Sequence, residues 1–226
     1  MSENQRVLQC IEIETGANPS HSVIWLHGLG ADGHDFEPIV PALGIPAATP
    51  TRFIFPNAPV RPVTINGGMA MRAWYDILTP AMVRVEDEAG ILESEQQIMA
   101  LIERENARGI ASERIVLAGF SQGCAMTLHT GLRYPQKLAG LIALSGYLPL
   151  MDRAAPHWQV ANQDTPIFMG HGTQDPVVTI DRGQSTQQML MSHGYAVQWH
   201  TYPMPHSVCP EEVHDIALFL KDVLKG

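Results

Sequence analysis

The chain is poor in cysteine, in charge and in basic residues, and each shortage excludes something. Three cysteines (Cys10, Cys124 and Cys209) form no zinc spacing and cannot all pair, so a reduced, cytoplasmic chain is expected rather than a disulfide framework. Charged residues make up 16% of 226, and 14 lysines and arginines face 23 acids, for a net charge of −9. Nucleic-acid backbone and anionic lipid both call for clustered cations, so neither is an expected partner. No run approaches the roughly 18 apolar residues of a membrane span, so no stable membrane insertion is expected. Met1-Ser2-Glu3-Asn4-Gln5-Arg6 lacks the basic-then-apolar plan of a secretory signal. Repeats, Gly/Ser tracts and charge blocks are also missing, which leaves no linker and a single domain over residues 1–226.

What is present is apolar surface, 45% of the residues, enough for one large core. Short β-branched runs alternate with longer amphipathic stretches. Strands are expected at Val7–Ile13, Val23–His27, Arg52–Phe55, Ile115–Gly119, Leu138–Ser145, Ile167–His171 and Val197–Tyr202. Ile115-Val116-Leu117-Ala118 and Leu141-Ile142-Ala143-Leu144 are continuous apolar runs, as strands covered on both faces of a parallel sheet require. Helices are expected at Glu86–Arg108, where Ile91, Ile98, Leu101 and Ile102 recur at helical spacing, and at Gln122–Arg133, Asp181–Ser192 and Pro210–Leu224. The last opens on Pro210 with Glu211 and Glu212 in its first turn and has Lys221 and Lys225 near its end, matching the helix dipole. The alternation gives an α/β class: a mostly parallel, doubly wound sheet with helices on both faces. In such sheets chemistry is sought just beyond the carboxyl ends of the strands.

Strand Ile115–Gly119 runs into Gly119-Phe120-Ser121-Gln122-Gly123 and then a helix, the strand–turn–helix context that G-x-S-x-G needs. The sharp turn projects Ser121, and the free N–H groups of the next helix favour an oxyanion there. A serine hydroxyl is a poor nucleophile, so it needs a base, and the base an orienting acid. Asp175 follows strand Ile167–His171, and His206 follows strand Val197–Tyr202, in the expected chain order. The competitors are worse placed. Asp164 precedes a strand, Asp152 lies in a long loop and Asp181 opens a helix, while His200 is within a strand, His193 near a helix end and His214 within the last helix. After strand Val23–His27 comes Gly28-Leu29-Gly30, where a backbone N–H can approach a substrate closely. Oxyanion donors are therefore expected at Leu29 and Gln122, with His27 a structural hydrogen-bonding residue.

The same loop, Gly28-Leu29-Gly30-Ala31-Asp32-Gly33, satisfies G-x-G-x-x-G, and a dinucleotide-binding oxidoreductase is the remote alternative. The acid due about 20 positions later is missing from Ala47-Ala48-Thr49-Pro50-Thr51-Arg52. Pro38, Pro41 and Pro46 break the crossover helix that this fingerprint requires. A catalytically silent binding protein is a third reading, but it would usually have lost a member of the triad, and all three residues stand.

Four segments together resemble the acyl-protein thioesterase, lysophospholipase and carboxylesterase family of α/β-hydrolases, the bacterial carboxylesterases above all. They are Val23–Gly30, Ile115–Gly123, Gly170–Val178 and His206–Glu212, and the likeness runs from about Val23 to the C-terminus. The resemblance implies an α/β-hydrolase fold and an esterase whose serine, aspartate and histidine are Ser121, Asp175 and His206. It also implies no metal and no organic cofactor, and a homodimer in some members. Arg72-Ala73-Trp74-Tyr75-Asp76-Ile77 resembles the stretch that walls the family's acyl site. Cys124 stands where a further glycine is common.

Between Asn66 and Val85 no helix or strand template fits cleanly, and Met69, Trp74, Leu78 and Met82 lie among small residues. Residues 66–85 are expected to be a pliable wall or lid over an acyl pocket, with Val177 as a further substrate contact. The expected substrates are small-molecule or lipid esters of short-to-medium acyl chains, with acylated protein or a long-chain lysophospholipid as the alternative. Activity is expected to fall on acidification as His206 takes up a proton.

Overall fold

The computed structural model describes residues 8–79 and 86–225. Seven strands form one sheet: β1 (Cys10–Glu14), β2 (His21–Leu26), β3 (Thr51–Pro56), β6 (Ile115–Phe120), β7 (Gly140–Leu144), β8 (Ile167–Gly172) and β9 (Val197–Tyr202). A separate antiparallel pair is made by β4 (Val60–Val63) and β5 (Met69–Arg72). The order across the large sheet is β1-β3-β2-β6-β7-β8-β9, with β1 antiparallel to β3 and the remaining neighbours parallel. The expected start of the first strand at Val7 lies outside the described residues.

Alternation of side chains along each strand divides the interior into two layers. On one face Ile24, Leu26, Leu117 and Leu141 meet three helices: α1 (Glu88–Ala107), α2 (Gln122–Arg133) and α3 (Ile180–Ser192). On the other face Val23, Trp25, Val116 and Ile142 meet Ile216, Phe219 and Leu220 of α4 (Pro210–Val223). A 3₁₀ segment, Glu37–Leu43, shares that second face. Asp87 caps α1 by accepting the Gly90 N–H at 2.9 Å. Among the described residues no helix is long and apolar enough to cross a membrane.

Connectivity brings the loops of interest together. The chain leaves β2 for β3 on one side, returns through α1 to β6 on the other, and then advances outward to β9. Strand order therefore reverses between β2 and β6, the place where α/β sheets open a crevice. Leu26 is paired with Gly119, so the loops after β2 and β6 leave the sheet at one level. Gly172 pairs with Tyr202 in the same way, and the loops after β8 and β9 leave side by side.

One expectation needs correction, and one exclusion gains its reason. The described part of the region 66–85 contains a strand, because Met69–Arg72 pairs with Val60–Val63 across a turn in which Gly67 and Gly68 take φ of 68° and 77°, while residues 80–85 lie outside the described residues. The link from β2 to β3 holds a 3₁₀ segment with Pro41 inside it, not an α-helix, so the dinucleotide pattern lacks the helix whose N-terminus would hold a pyrophosphate.

Candidate active site

The turn after β6 is tight for reasons visible in its glycines. A Cβ at Gly119 would run into the backbone of Gly123, and one at Gly123 into the carbonyls of Leu26 and His27. Helix α2 can therefore start directly against the end of β2. Ser121, between the two glycines, has φ 56° and ψ −115°, a conformation L-residues seldom take. The Ser121 N–H is held by the Leu144 carbonyl at 2.9 Å, which pins the strained residue to β7. The N–H of Gln122, first in α2, has no helical carbonyl before it.

In the adjacent loop the N–H groups of Gly30 and Ala31 are taken by the carbonyls of Arg72 and Gly28, at 2.8 and 3.3 Å. Among the described residues none takes that of Leu29. His27 beneath this loop accepts the Ala58 N–H on Nε2 at 3.0 Å, so its proton sits on Nδ1, 2.7 Å from the Gly28 carbonyl. Burial lowers its pKa, keeping it a neutral brace.

The loops after β8 and β9 are stapled by Thr173 N–H to Tyr202 O at 2.8 Å and Gln174 N–H to Met204 O at 3.1 Å. They approach so closely that a Cβ at Gly172 would strike the carbonyls of Met204 and Pro205. That closeness sets His206 Nδ1 2.6 Å from Asp175 Oδ2. The other carboxylate oxygen of Asp175 accepts the N–H groups of Val177 and Val178, at 2.8 and 2.9 Å. Behind it His171 donates from Nε2 to the Val178 carbonyl at 2.7 Å, and burial holds its pKa down. The Phe120 ring lies 4.7 Å from the His206 imidazole and covers one side of it.

Ser121 and His206 line one cavity of about 480 Å³, together with Gly28, Leu29 and Gln122. No hydrogen bond from the Ser121 hydroxyl is formed among the described residues, and Asp175 stands behind the imidazole with its side chain fully buried. Of the expected substrate contacts, Leu78 and Val177 line the cavity. Met82 lies outside the described residues. Met69 and Trp74 are corrections. Met69 is an exposed residue of the β4–β5 hairpin, apart from the cavity lining. Trp74 is fully buried beneath it, its indole N–H on the His27 carbonyl at 2.9 Å and its backbone N–H on Gln122 Oε1 at 2.8 Å. Gln122 Nε2 reaches the Tyr75 carbonyl at 2.7 Å, so the residue after the nucleophile candidate also clamps the pocket wall.

Tyr75, in the stretch expected to wall the acyl site, lines the cavity, and so do Tyr147 and Arg182, which sequence reasoning missed. Tyr147 lies two residues beyond the expected end of the strand before it, where the rule about strand ends could have found it. Arg182 carried no comparable signal. Among the described residues no cluster of three or more His, Cys, Asp or Glu side chains could hold a metal ion.

A family model described as Phospholipase/Carboxylesterase matches residues 8–224. The chain is 41% identical over 229 residues to acyl-protein thioesterase 1 of Mycosarcoma maydis, covering 95% of both proteins. Its structure is similar to that of Arabidopsis thaliana SOBER1, with a TM-score of 0.85 at 33% identity over 91% of this chain and 99% of that one. It is also similar to acyl-protein thioesterase 2 of Zea mays, with a TM-score of 0.82 at 26% identity over 96% of this chain and 99% of that one.

Proposed function

The chain belongs to the phospholipase/carboxylesterase family of α/β-hydrolases, enzymes that act on esters, and on that premise we propose that it cleaves short-to-medium acyl esters through an acyl-enzyme on Ser121. The observation that carries the proposal is the 2.6 Å contact between His206 Nδ1 and the buried Asp175, beside a cavity that Ser121 shares. With Nδ1 engaged, Nε2 is the nitrogen left to take the serine proton as Ser121 attacks the carbonyl. Asp175 holds the tautomer and stabilises the imidazolium. The N–H groups of Leu29 and Gln122 receive the oxyanion, an effect of roughly 3–4 kcal/mol per donor. His206 then protonates the leaving alcohol or thiol, and water releases the acyl group by the same route. No step in this scheme calls for a metal or an organic cofactor.

Replacing Ser121 by Ala should abolish turnover of p-nitrophenyl butyrate and labelling by a fluorophosphonate. Labelling at the wild-type rate in that variant would overturn the assignment. A second reading, thioester cleavage on acylated proteins, is favoured by the 41% identity to a protein named acyl-protein thioesterase 1. A series of p-nitrophenyl esters run beside an S-acylated peptide separates the two. A peak at long chains, or activity on the thioester alone, favours the second. The substrate partner is thus a small-molecule ester, a lipid ester or an acylated protein. A cytoplasmic site of action accords with three cysteines that are all free. The homodimer implied by resemblance is read by sedimentation.

A further inference from the structure

One group lining the cavity has no part in the ester chemistry. Arg182, half-buried in the first turn of α3, is the one lysine or arginine among the described lining residues. Its guanidinium carbon lies 3.8 Å from the centre of the Tyr147 ring. Its Nε is buried without a hydrogen-bond partner, and among the described residues no carboxylate is within 4.0 Å of its nitrogens. Three acids among the described residues share the cavity, Asp35, Asp76 and Glu86, and the last two have other bonds. Glu86 accepts the Leu150 N–H at 2.6 Å, and Asp76 accepts both the N–H and the hydroxyl of Thr64. A permanent cation held in a cavity on a ring face alone is under-satisfied, and an anion delivered by a ligand would complete it.

The place of this cation relative to the reacting bond follows from Gln122. Its side chain holds the Tyr75 carbonyl, and the Tyr75 hydroxyl is 3.2 Å from that of Tyr147, on which Arg182 is stacked. A leaving group departs beside His206, which protonates it, so the acyl part takes the other side of Ser121, the side to which Gln122 ties Tyr75. We infer that Arg182, with the Tyr75 and Tyr147 hydroxyls, forms a subsite for a carboxylate carried on the acyl part of the ester. The preferred substrates are then half-esters of short dicarboxylic acids. One cation among the described lining residues, with Asp35, Asp76 and Glu86 sharing the cavity, suits a monoanion better than a phosphate dianion.

The inference rests on the esterase reading of Ser121, and its test keeps the two apart. Values of kcat/KM are measured for mono-p-nitrophenyl glutarate and p-nitrophenyl valerate, after subtracting uncatalysed hydrolysis. The wild type should favour the glutarate. In Arg182→Met the glutarate-to-valerate ratio should fall about tenfold or more, the scale of a lost charge-assisted hydrogen bond, and Arg182→Lys should retain part of the preference. A measurement on the wild type alone guards against a variant that does not fold: free glutarate should inhibit valerate hydrolysis competitively, and glutaramide should do so far more weakly. Valerate turnover with a ratio that Arg182→Met leaves within about twofold, or equal inhibition by acid and amide, overturns the inference alone. If the wild type turns over neither ester, or Ser121→Ala turns over both, the esterase reading fails and takes the inference with it.

Discussion

Asp175 has two jobs on two oxygens, which makes its amide a sharp probe. Oδ1 accepts two backbone N–H groups, and Oδ2 accepts from His206. In Asp175→Asn the carbonyl oxygen keeps the two N–H groups, so the NH₂ must face the imidazole. The ring can then accept on Nδ1 only by moving its proton to Nε2, where it cannot receive the serine proton. We expect kcat to fall by roughly 10³–10⁴ with the fold retained, as a stopped assay and a circular-dichroism melt would show; a loss under about tenfold would mean that the acid does not set the tautomer. Gln122 separates backbone from side chain. Gln122→Ala keeps the N–H proposed for the oxyanion but strands the Trp74 N–H and the Tyr75 carbonyl. A loss of roughly 1–3 kcal/mol in urea unfolding is expected, with acyl-chain selectivity altered more than kcat. At this scale the meeting of Asp175 with His206 beside the cavity of Ser121 was legible because each of the three lies in the turn or loop that follows a strand. Trp74 was misjudged because an aromatic beside small residues looks the same in sequence whether it faces a pocket or, as here, lies under one.

Elements were legible wherever burial imposes a period. The helix Gln122–Arg133 and the strand Val197–Tyr202 have the expected bounds, and the other long elements differ by a few residues at their ends. The β4–β5 hairpin was not legible. Val60-Arg61-Pro62-Val63 carries a proline, Met69 and Val60 are exposed, and a hairpin largely outside the core leaves no apolar alternation to read. The loop pair after β8 and β9 carries the prediction of this scale. Gly172→Ala would press a methyl group against the Met204 and Pro205 carbonyls and part the loop of Asp175 from that of His206. Destabilisation of about 1–3 kcal/mol is expected. The catalytic loss should exceed that of Gly109→Ala, where a Cβ meets nothing within 4 Å but φ is 93°, so strain without crowding serves as the comparison. Equal activity in the two variants would refute the coupling of close approach to chemistry.

For the molecule as a whole, the switch in strand order joins the β2 and β6 loops, and α4 ties the His206 loop to the second face of the core. That tie contains an ionisable group with no evident solvation. Glu212, in the first turn of α4, is fully buried against Gly170 of β8, and neither carboxyl oxygen has a hydrogen-bond partner among the described residues. Burial, with a smaller contribution from the charge of Asp215, pushes its pKa from 4.5 up to about 8. Between those values the folded chain keeps a proton that the unfolded chain has released. Protons bound in the native state therefore exceed those bound in the unfolded state, and stability must fall as pH rises through the window. Below 4.5 and above 8 this group gives no slope. The full change is on the order of 3–5 kcal/mol. Urea midpoints at pH 5, 6.5 and 8 should decline for the wild type and much less for Glu212→Gln, which keeps the shape without the charge. Parallel curves for the two proteins would mean that the native state solvates the Glu212 carboxylate in a way its burial does not reveal, and the packing of α4 on the sheet would then not be what loosens in base.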